Sequence, residues 1–203
     1  MTLARLVLAT SNAGKVRELR ELVAEWGPIE VVSLADVPPL EMPEETGETY
    51  LENALLKARA VAAASGLPAL ADDSGIEVDA LGGRPGVRSA RYADGEAACN
   101  ARLLVELRDV PVSLRTGRYR AVVALAFPDG PAMSAEGTCE GSIGFVERGT
   151  GGFGYDPLFV SSELGRVVGE MSADEKARIS HRARAMRALG ASLQARGIVA
   201  SLR

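Results

Sequence analysis

The sequence predicts an α/β protein with a mixed β-sheet flanked by helices, on three observations. Short apolar runs alternate with amphipathic helical segments in the first half of the chain, two long alternating segments joined by a turn follow, and a helix closes the chain. Strand and helix in alternation give parallel neighbours, whereas a hairpin needs antiparallel ones, so the sheet is not purely parallel. With 203 residues, 47% of them hydrophobic and 25% charged, the chain is long enough to bury a sizeable core as one globular domain. No internal repeat and no linker divides it.

The elements follow in order. Leu6 to Ala9 reads as a buried strand, and from Gly14 onward Val16, Leu19, Val23 and Trp26 recur at helical spacing. Ile29 to Leu34 is a second strand, followed by a Pro-rich acidic loop through Glu45 and an Ala-rich helix from about Thr49 to Ser65. The apolar run Leu67-Pro-Ala-Leu-Ala71 is a strand that ends in the paired acids Asp72 and Asp73, and Ile76 to Leu81 alternates like a further strand. Gly82 to Tyr92 is a loop rich in Gly, Pro and Arg, and Glu96 to Leu107 is an amphipathic helix. Tyr119 to Phe127 and Ala132 to Ile143 form the hairpin around Pro128-Asp129-Gly130, while Gly149 to Pro157 is too rich in glycine to be regular. Ser172 and Glu175 make a capping box that starts one final helix, with Ile179, Ala183, Met186, Leu189 and Leu193 as its apolar stripe.

Composition excludes several classes. A net charge of −4 and a pI near 5.2 argue against a general nucleic-acid or membrane-surface binder, so any phosphate site is local. Cys99 and Cys139 form no CxxC pair and read as reduced thiols, not as zinc ligands. The N-terminal apolar run is interrupted by Arg5, too short for a signal segment, and no stretch approaches the ~20 apolar residues of a membrane span. A cytoplasmic location is the expectation.

The chemistry concentrates in four places. Asp72 and Asp73 stand beside an apolar run, where uncompensated charge costs roughly several kcal/mol, so a divalent cation is expected to compensate them. Together with Glu44 and Glu45 they offer the hard oxygen ligands that Mg²⁺ prefers. A turn capped by one of the two aspartates is the plainer reading for that residue, which leaves the other available as a base. Thr10-Ser-Asn-Ala-Gly-Lys15 lies where a strand hands over to a helix, so backbone N–H groups, the helix dipole and an ammonium group can converge on a polyphosphate. The spacing is not that of a Walker loop, and a simple helix cap also fits.

The third place is Gly151-Gly-Phe-Gly-Tyr-Asp156, with glycines that permit close approach, two rings able to stack on a base and an acid able to accept hydrogen bonds. The last contains Lys176, Ser180, His181 and Arg182. Among 23 basic residues only Lys15, Lys57 and Lys176 are lysines and 20 are arginines, and His181 is the only histidine. A lysine kept in such a chain points to a need for a compact point charge. On one ideal helix Lys176 and His181 would lie about 140° apart, so a shared ligand requires that the helix end or bend nearby. A solvated polar face is the alternative for this segment.

Read together, the segments TSNAGKVRE, EETGETYLENALLKA, ALADDSGIEVDALGGRPGVRSARY, GTGGFGYDP and MSADEKARISHR resemble the inosine triphosphate pyrophosphatase family, the Ham1-like enzymes, and among them the bacterial dITP/XTP pyrophosphatases. The resemblance covers most of the chain. It implies a single domain over residues 1–203 with a long mixed sheet and two lobes around a central nucleotide-binding cleft, usually as a homodimer. It implies Mg²⁺-dependent hydrolysis of ITP, dITP and XTP to the monophosphate and pyrophosphate, keeping deaminated purines out of nucleic acids. Thr10, Ser11, Asn12, Ala13, Gly14 and Lys15 match the triphosphate loop, Asp73 the proton acceptor and metal ligand, and Glu45 the second metal ligand. Ser74, Phe153, Gly154, Tyr155, Asp156, Lys176, His181 and Arg182 match the substrate contacts, the last two reading the six-position oxygen of the purine. A site that donates hydrogen bonds to a keto oxygen rejects adenine's amino group, because buried donors left unpaired are costly. Ser11 departs from the glycine common at its position without removing anything the chemistry requires. Two other readings fit the same motifs: a pyrophosphatase of this fold for another modified nucleotide, and a nucleotide-binding protein without catalysis.

Overall fold

Leu6, Val7 and Leu8 are buried on both faces of the first strand, which is what an uninterrupted apolar run beside a helix requires. The computed structural model describes residues 2–199. In chain order the elements are β1 (Arg5–Leu8), α1 (Ala13–Ala24), β2 (Glu30–Val32), α2 (Tyr50–Ser65), β3 (Ala69–Val78), α3 (Glu96–Glu106), β4 (Thr116–Ala126), β5 (Ala132–Ile143), β6 (Phe159–Ser161), α4 (Ala173–Ile179) and α5 (His181–Ala195). The six strands form one mixed sheet in the order β2-β1-β3-β4-β5-β6. β1 runs parallel to β2 and to β3, with Leu6 opposite Val31 and Val7 opposite Ala69, and β5 runs antiparallel to β6. The α/β class and the mixed sheet are therefore as expected.

The chain divides into two compact units. Unit 1 holds the chain up to Asp73, Ala121–Gly137 and the chain from Arg182 onward, and unit 2 holds Ser74–Arg120 and Thr138–His181. The core of unit 1 gathers Leu6, Leu8, Leu19, Trp26, Leu70, Val123, Met186 and Leu189. Here α5 passes the Trp26 indole at Gly190, where a Cβ would stand 2.4 Å from Nε1. The core of unit 2 gathers Ile76, Leu103, Ile143, Leu158, Phe159 and Ile179.

The helix that carries Asn53 and Lys57 is well specified locally. The Thr49 hydroxyl accepts from the Glu52 N–H, the Glu52 carboxylate accepts from the Thr49 N–H, and Gly66 closes α2 in the left-handed region at φ 67°. A cap of this kind is worth about 1 kcal/mol.

Several elements differ from the sequence expectation. β3 does not end at the paired acids but continues through them to Val78 as one ten-residue strand, because both carboxylates meet cations in place. β2 stops at Val32 because Ser33 and Asp36 form their own capping box and turn Leu34–Asp36 into a 3-10 turn. The single C-terminal helix is two: Ser180 is extended at φ −66°, ψ 147°, and separates α4 from α5. β6, three residues long, is too short to leave a periodic signal.

Candidate active site

Successive side chains of a strand point to opposite faces, so Asp72 and Asp73 on β3 cannot share one set of partners. Asp72, fully buried, meets Lys15 of α1, whose Nζ lies 2.6 Å from Oδ1, and Arg182 of α5, whose Nε donates to Oδ2 at 3.1 Å and Nη2 to Oδ1 at 3.3 Å. The remaining end of that guanidinium, Nη1, donates to Glu18 of α1. Burial alone would favour the neutral acid, but Arg182 and then Lys15 outweigh it and hold the Asp72 carboxyl well below the usual carboxylate range. Asp72 is thus a fixed negative charge.

Asp73 has a different environment. Its Oδ2 accepts from Asn53 Nδ2 at 3.1 Å and its Oδ1 lies 3.4 Å from Lys57 Nζ, both side chains coming from α2. The same Lys57 ammonium donates to Glu45 Oε1 at 2.6 Å and to the Asp72 backbone carbonyl at 2.9 Å. Burial raises the proton affinity of Asp73, Lys57 opposes this, and the nearby Glu45 carboxylate adds to the rise, so its pKa lies above the ordinary value. For Lys57, burial favours the neutral amine, yet Asp73 and Glu45 prevail and the ammonium is retained. The two neighbouring carboxylates are thus pushed in opposite directions by their surroundings.

The residues present fit a divalent metal. Glu45 and Asp73 come from distant parts of the chain and converge on one cation, the Lys57 ammonium, with hard oxygens of the type Mg²⁺ requires. Among the described residues no group of three or more His, Cys, Asp or Glu side chains is gathered as a metal cage. Two carboxylates suffice for Mg²⁺ when waters and substrate phosphates complete its shell.

At the start of α1, the Asn12 side chain accepts from the Lys15 N–H at 2.9 Å and the Thr10 hydroxyl accepts from the Asn12 N–H at 3.2 Å. Thr10 is half-buried, Ser11, Asn12 and Ala13 are exposed, and Gly14 and Lys15 are half-buried. The cap reading and the anion reading coexist here: Asn12 caps the helix, and the capped N-terminus presents its positive end beside the Lys15 ammonium.

Unit 2 holds the second constellation. Asp156 is 2% exposed, and its Oδ2 accepts from Lys176 Nζ at 2.6 Å and from the Phe153 N–H at 2.9 Å. Its Oδ1 accepts from the Tyr119 hydroxyl at 3.2 Å. The Lys176 ammonium also lies 4.5 Å from the Phe153 ring centroid. Gly152 is required because its φ is 75° and a Cβ there would stand 2.0 Å from the Asp156 carboxylate. The loop is fastened from α3, where Glu96 accepts from the Gly154 N–H and Asn100 donates to the Gly154 carbonyl.

His181 stacks on Tyr119, ring centroids 4.6 Å apart and planes within 8°. With α4 and α5 as separate helices, Lys176 reaches Asp156 and His181 reaches Tyr119, which itself donates to Asp156.

The expected residues thus fall into two groups. Thr10 to Lys15, Glu45, Asp73 and Arg182 belong to unit 1, and Ser74, Phe153 to Asp156, Lys176 and His181 to unit 2. Ser74 is half-buried on β3, next to Asp73 in the chain. Tyr155 is buried with its hydroxyl donating to the Ser89 carbonyl, so its ring serves the core and Phe153 is the ring beside Lys176. The Arg182 guanidinium meets Asp72 and Glu18.

Asn53 and Lys57, which meet Asp73, and Tyr119, which meets Asp156, stand in these constellations without having been among the expected site residues. Asn53 and Lys57 stand four apart, on one face of a helix otherwise rich in alanine, and that pattern was a usable signal. Lysine scarcity also pointed at Lys57 as much as at Lys15 and Lys176.

The Ham1 family model matches residues 6–192 of the chain. A dITP/XTP pyrophosphatase of Thermus thermophilus is 55% identical over 188 residues, covering 91% of this chain and 89% of its own. One of Nitratidesulfovibrio vulgaris is 50% identical over 198 residues, covering 93% and 95%. Among solved structures, the Ham1 protein of Staphylococcus aureus superposes with a TM-score of 0.83 at 35% identity, covering 95% of this chain and 99% of its own. The HAM1 protein of Coxiella burnetii gives 0.83 at 38% identity, covering 96% and 100%. A match of this extent to the family model, to sequences half identical and to whole solved chains has one meaning: this chain belongs to the Ham1 family.

Proposed function

We propose that the chain hydrolyses deaminated purine nucleoside triphosphates, ITP, dITP and XTP, to the nucleoside monophosphate and pyrophosphate. The relatives named dITP/XTP pyrophosphatase support the substrate class. The observation that carries the chemistry is the division of partners between Asp72 and Asp73 on adjacent positions of one strand: Asp72 is held by Lys15 and Arg182, while Asp73 stands with Glu45 at the Lys57 ammonium and accepts from Asn53.

Lys15 and the N-terminus of α1 bind the triphosphate, with Thr10 to Gly14 supplying hydroxyl and backbone N–H groups. Asp73 takes the proton from the attacking water, held in orientation by the Asn53 amide on Oδ2. Lys57 keeps Glu45 and Asp73 side by side, and Arg182 keeps Asp72 ionised beside Lys15. Glu45 and Asp73 would hold Mg²⁺, which when bound offsets charge on the attacked phosphoryl group and on the departing pyrophosphate. Phe153 offers a stacking face, and Asp156, Lys176 and His181 read the base. A homodimer and a cytoplasmic place are part of the proposal and rest on the resemblance and the sequence. No helix of the described residues is long and apolar enough to cross a membrane.

The test is product formation from dITP and dGTP in parallel, with Mg²⁺ and with a chelator, distinguishing pyrophosphate from orthophosphate. Pyrophosphate is expected from dITP about 10²-fold faster than from dGTP, and at background level with the chelator. Orthophosphate, equal rates or no turnover would contradict the proposal, the last favouring a binding protein.

Lys176→Arg is expected to lower kcat/KM for dITP about tenfold although the charge is kept, because the buried ammonium sits 2.6 Å from Asp156 where a planar guanidinium has a different reach. Unchanged kinetics would show that only the charge matters.

A further inference from the structure

We infer that Tyr119 is a positioning residue for base selection, acting through Asp156 and His181, an inference that rests on the base-reading assignment of those two residues. Tyr119 lies on β4 and is 8% exposed. Its hydroxyl donates to Asp156 Oδ1 at 3.2 Å and its ring lies flat against the His181 imidazole at 4.6 Å. The opposite carboxylate oxygen, Oδ2, is held by Lys176 Nζ and the Phe153 N–H, so the phenol completes the restraint that fixes the plane of the carboxylate. The stack restrains the imidazole plane in turn, and with it the directions in which Nδ1 and Nε2 can address a ligand. Phe159 packs against Tyr119 at 4.7 Å with a 57° tilt, which anchors the ring in the core of unit 2. One side chain with a fixed ring and a fixed hydroxyl thus couples the orientation of an acceptor to that of a donor. A hydrogen-bonding site discriminates sharply only if its groups hold their geometry without the ligand, and Tyr119 supplies that for both.

The two interactions separate by substitution. Tyr119→Phe removes the hydroxyl and keeps the stack, and Tyr119→Leu removes both. For Tyr119→Phe, KM for dITP is expected to rise about fivefold, the value of one hydrogen bond, with the change falling on KM and not on kcat. For Tyr119→Leu the rise is expected to reach about thirtyfold, and the preference for dITP over dGTP to fall by about tenfold, as the imidazole loses its platform. The melting temperature is measured alongside, and Asp156→Asn and His181→Ala are carried as references. A fall in kcat and melting temperature together, with KM and the dITP to dGTP ratio unchanged, would show a purely structural tyrosine and overturn the inference. If the two reference variants raise KM and the Tyr119 variants do not, the positioning role alone is overturned. If none of the four raises KM, the base-reading assignment falls and the inference falls with it.

Discussion

Replacement of Asp73 by asparagine is expected to lower turnover of dITP by about 10³-fold while leaving nucleotide binding within about threefold. The substitution is isosteric and keeps a partner for Asn53, whose Nδ2 donates to Asp73 Oδ2 at 3.1 Å in the native protein. It removes the only property the chemistry needs at that place, a basic oxygen that can also hold a hard cation. Glu45 remains beside Lys57 at 2.6 Å, so the ammonium keeps a carboxylate and the local fold has no buried charge left alone. Loss of one negative charge near a bound polyanion also relieves repulsion, which is why binding should survive. Single-turnover rates and equilibrium nucleotide binding measured on the same preparation separate the two effects. A variant that keeps more than roughly a tenth of the activity would remove Asp73 from the role of base.

Arg182→Ala has the largest expected effect on stability, a loss of about 3 kcal/mol. The arginine is 1% exposed and Asp72 is fully buried, so truncation takes from a desolvated carboxylate the guanidinium that meets both its oxygens, and removes a partner of Glu18. Breaking a buried pair costs roughly 3–5 kcal/mol, and Lys15, still 2.6 Å from Asp72, places this case at the low end. Arg182→Lys should recover only part of the loss, because one ammonium cannot address both oxygens of Asp72 and Glu18 together. Urea midpoints at neutral pH measure it. A loss below about 1 kcal/mol would place the pair in the class of surface ion pairs.

How much of this could be read from the sequence depends on the range over which each feature is decided. α2 is decided locally, by the Thr49 and Glu52 capping box and by Gly66 after its end, and its observed span Tyr50–Ser65 follows the sequence expectation closely. The same holds for β5, whose span Ala132–Ile143 is as predicted from its alternation. β3 is decided at long range. Whether a strand may continue through two acids depends on Lys57, 16 positions from Asp73, and on Arg182, 110 positions from Asp72, and no local pattern reveals that those cations arrive. The break at Ser180 was visible only as a conflict, the angle between Lys176 and His181 on one helix, and two helices resolve it.

The site shows the same division. Lys15 and Asp73 stand out because charge next to an apolar run needs an explanation, and each has one in the structure. Tyr119 does not stand out, because an aromatic residue on a β-strand is ordinarily core, and it is core here too, through Phe159. Its hydroxyl acquires a function only from Asp156, 37 positions away. Arg182, expected beside His181 at the purine, also meets Asp72 through its guanidinium, a contact that no local pattern announces.

The central claim is that water, deprotonated by Asp73, attacks the phosphorus bearing the nucleoside, so that pyrophosphate leaves intact. Hydrolysis of dITP in ¹⁸O-labelled water, followed by mass analysis of both products, tests it most directly. The account predicts the label in the monophosphate and none in the pyrophosphate. Label in the pyrophosphate would place the attack on the next phosphorus and contradict it.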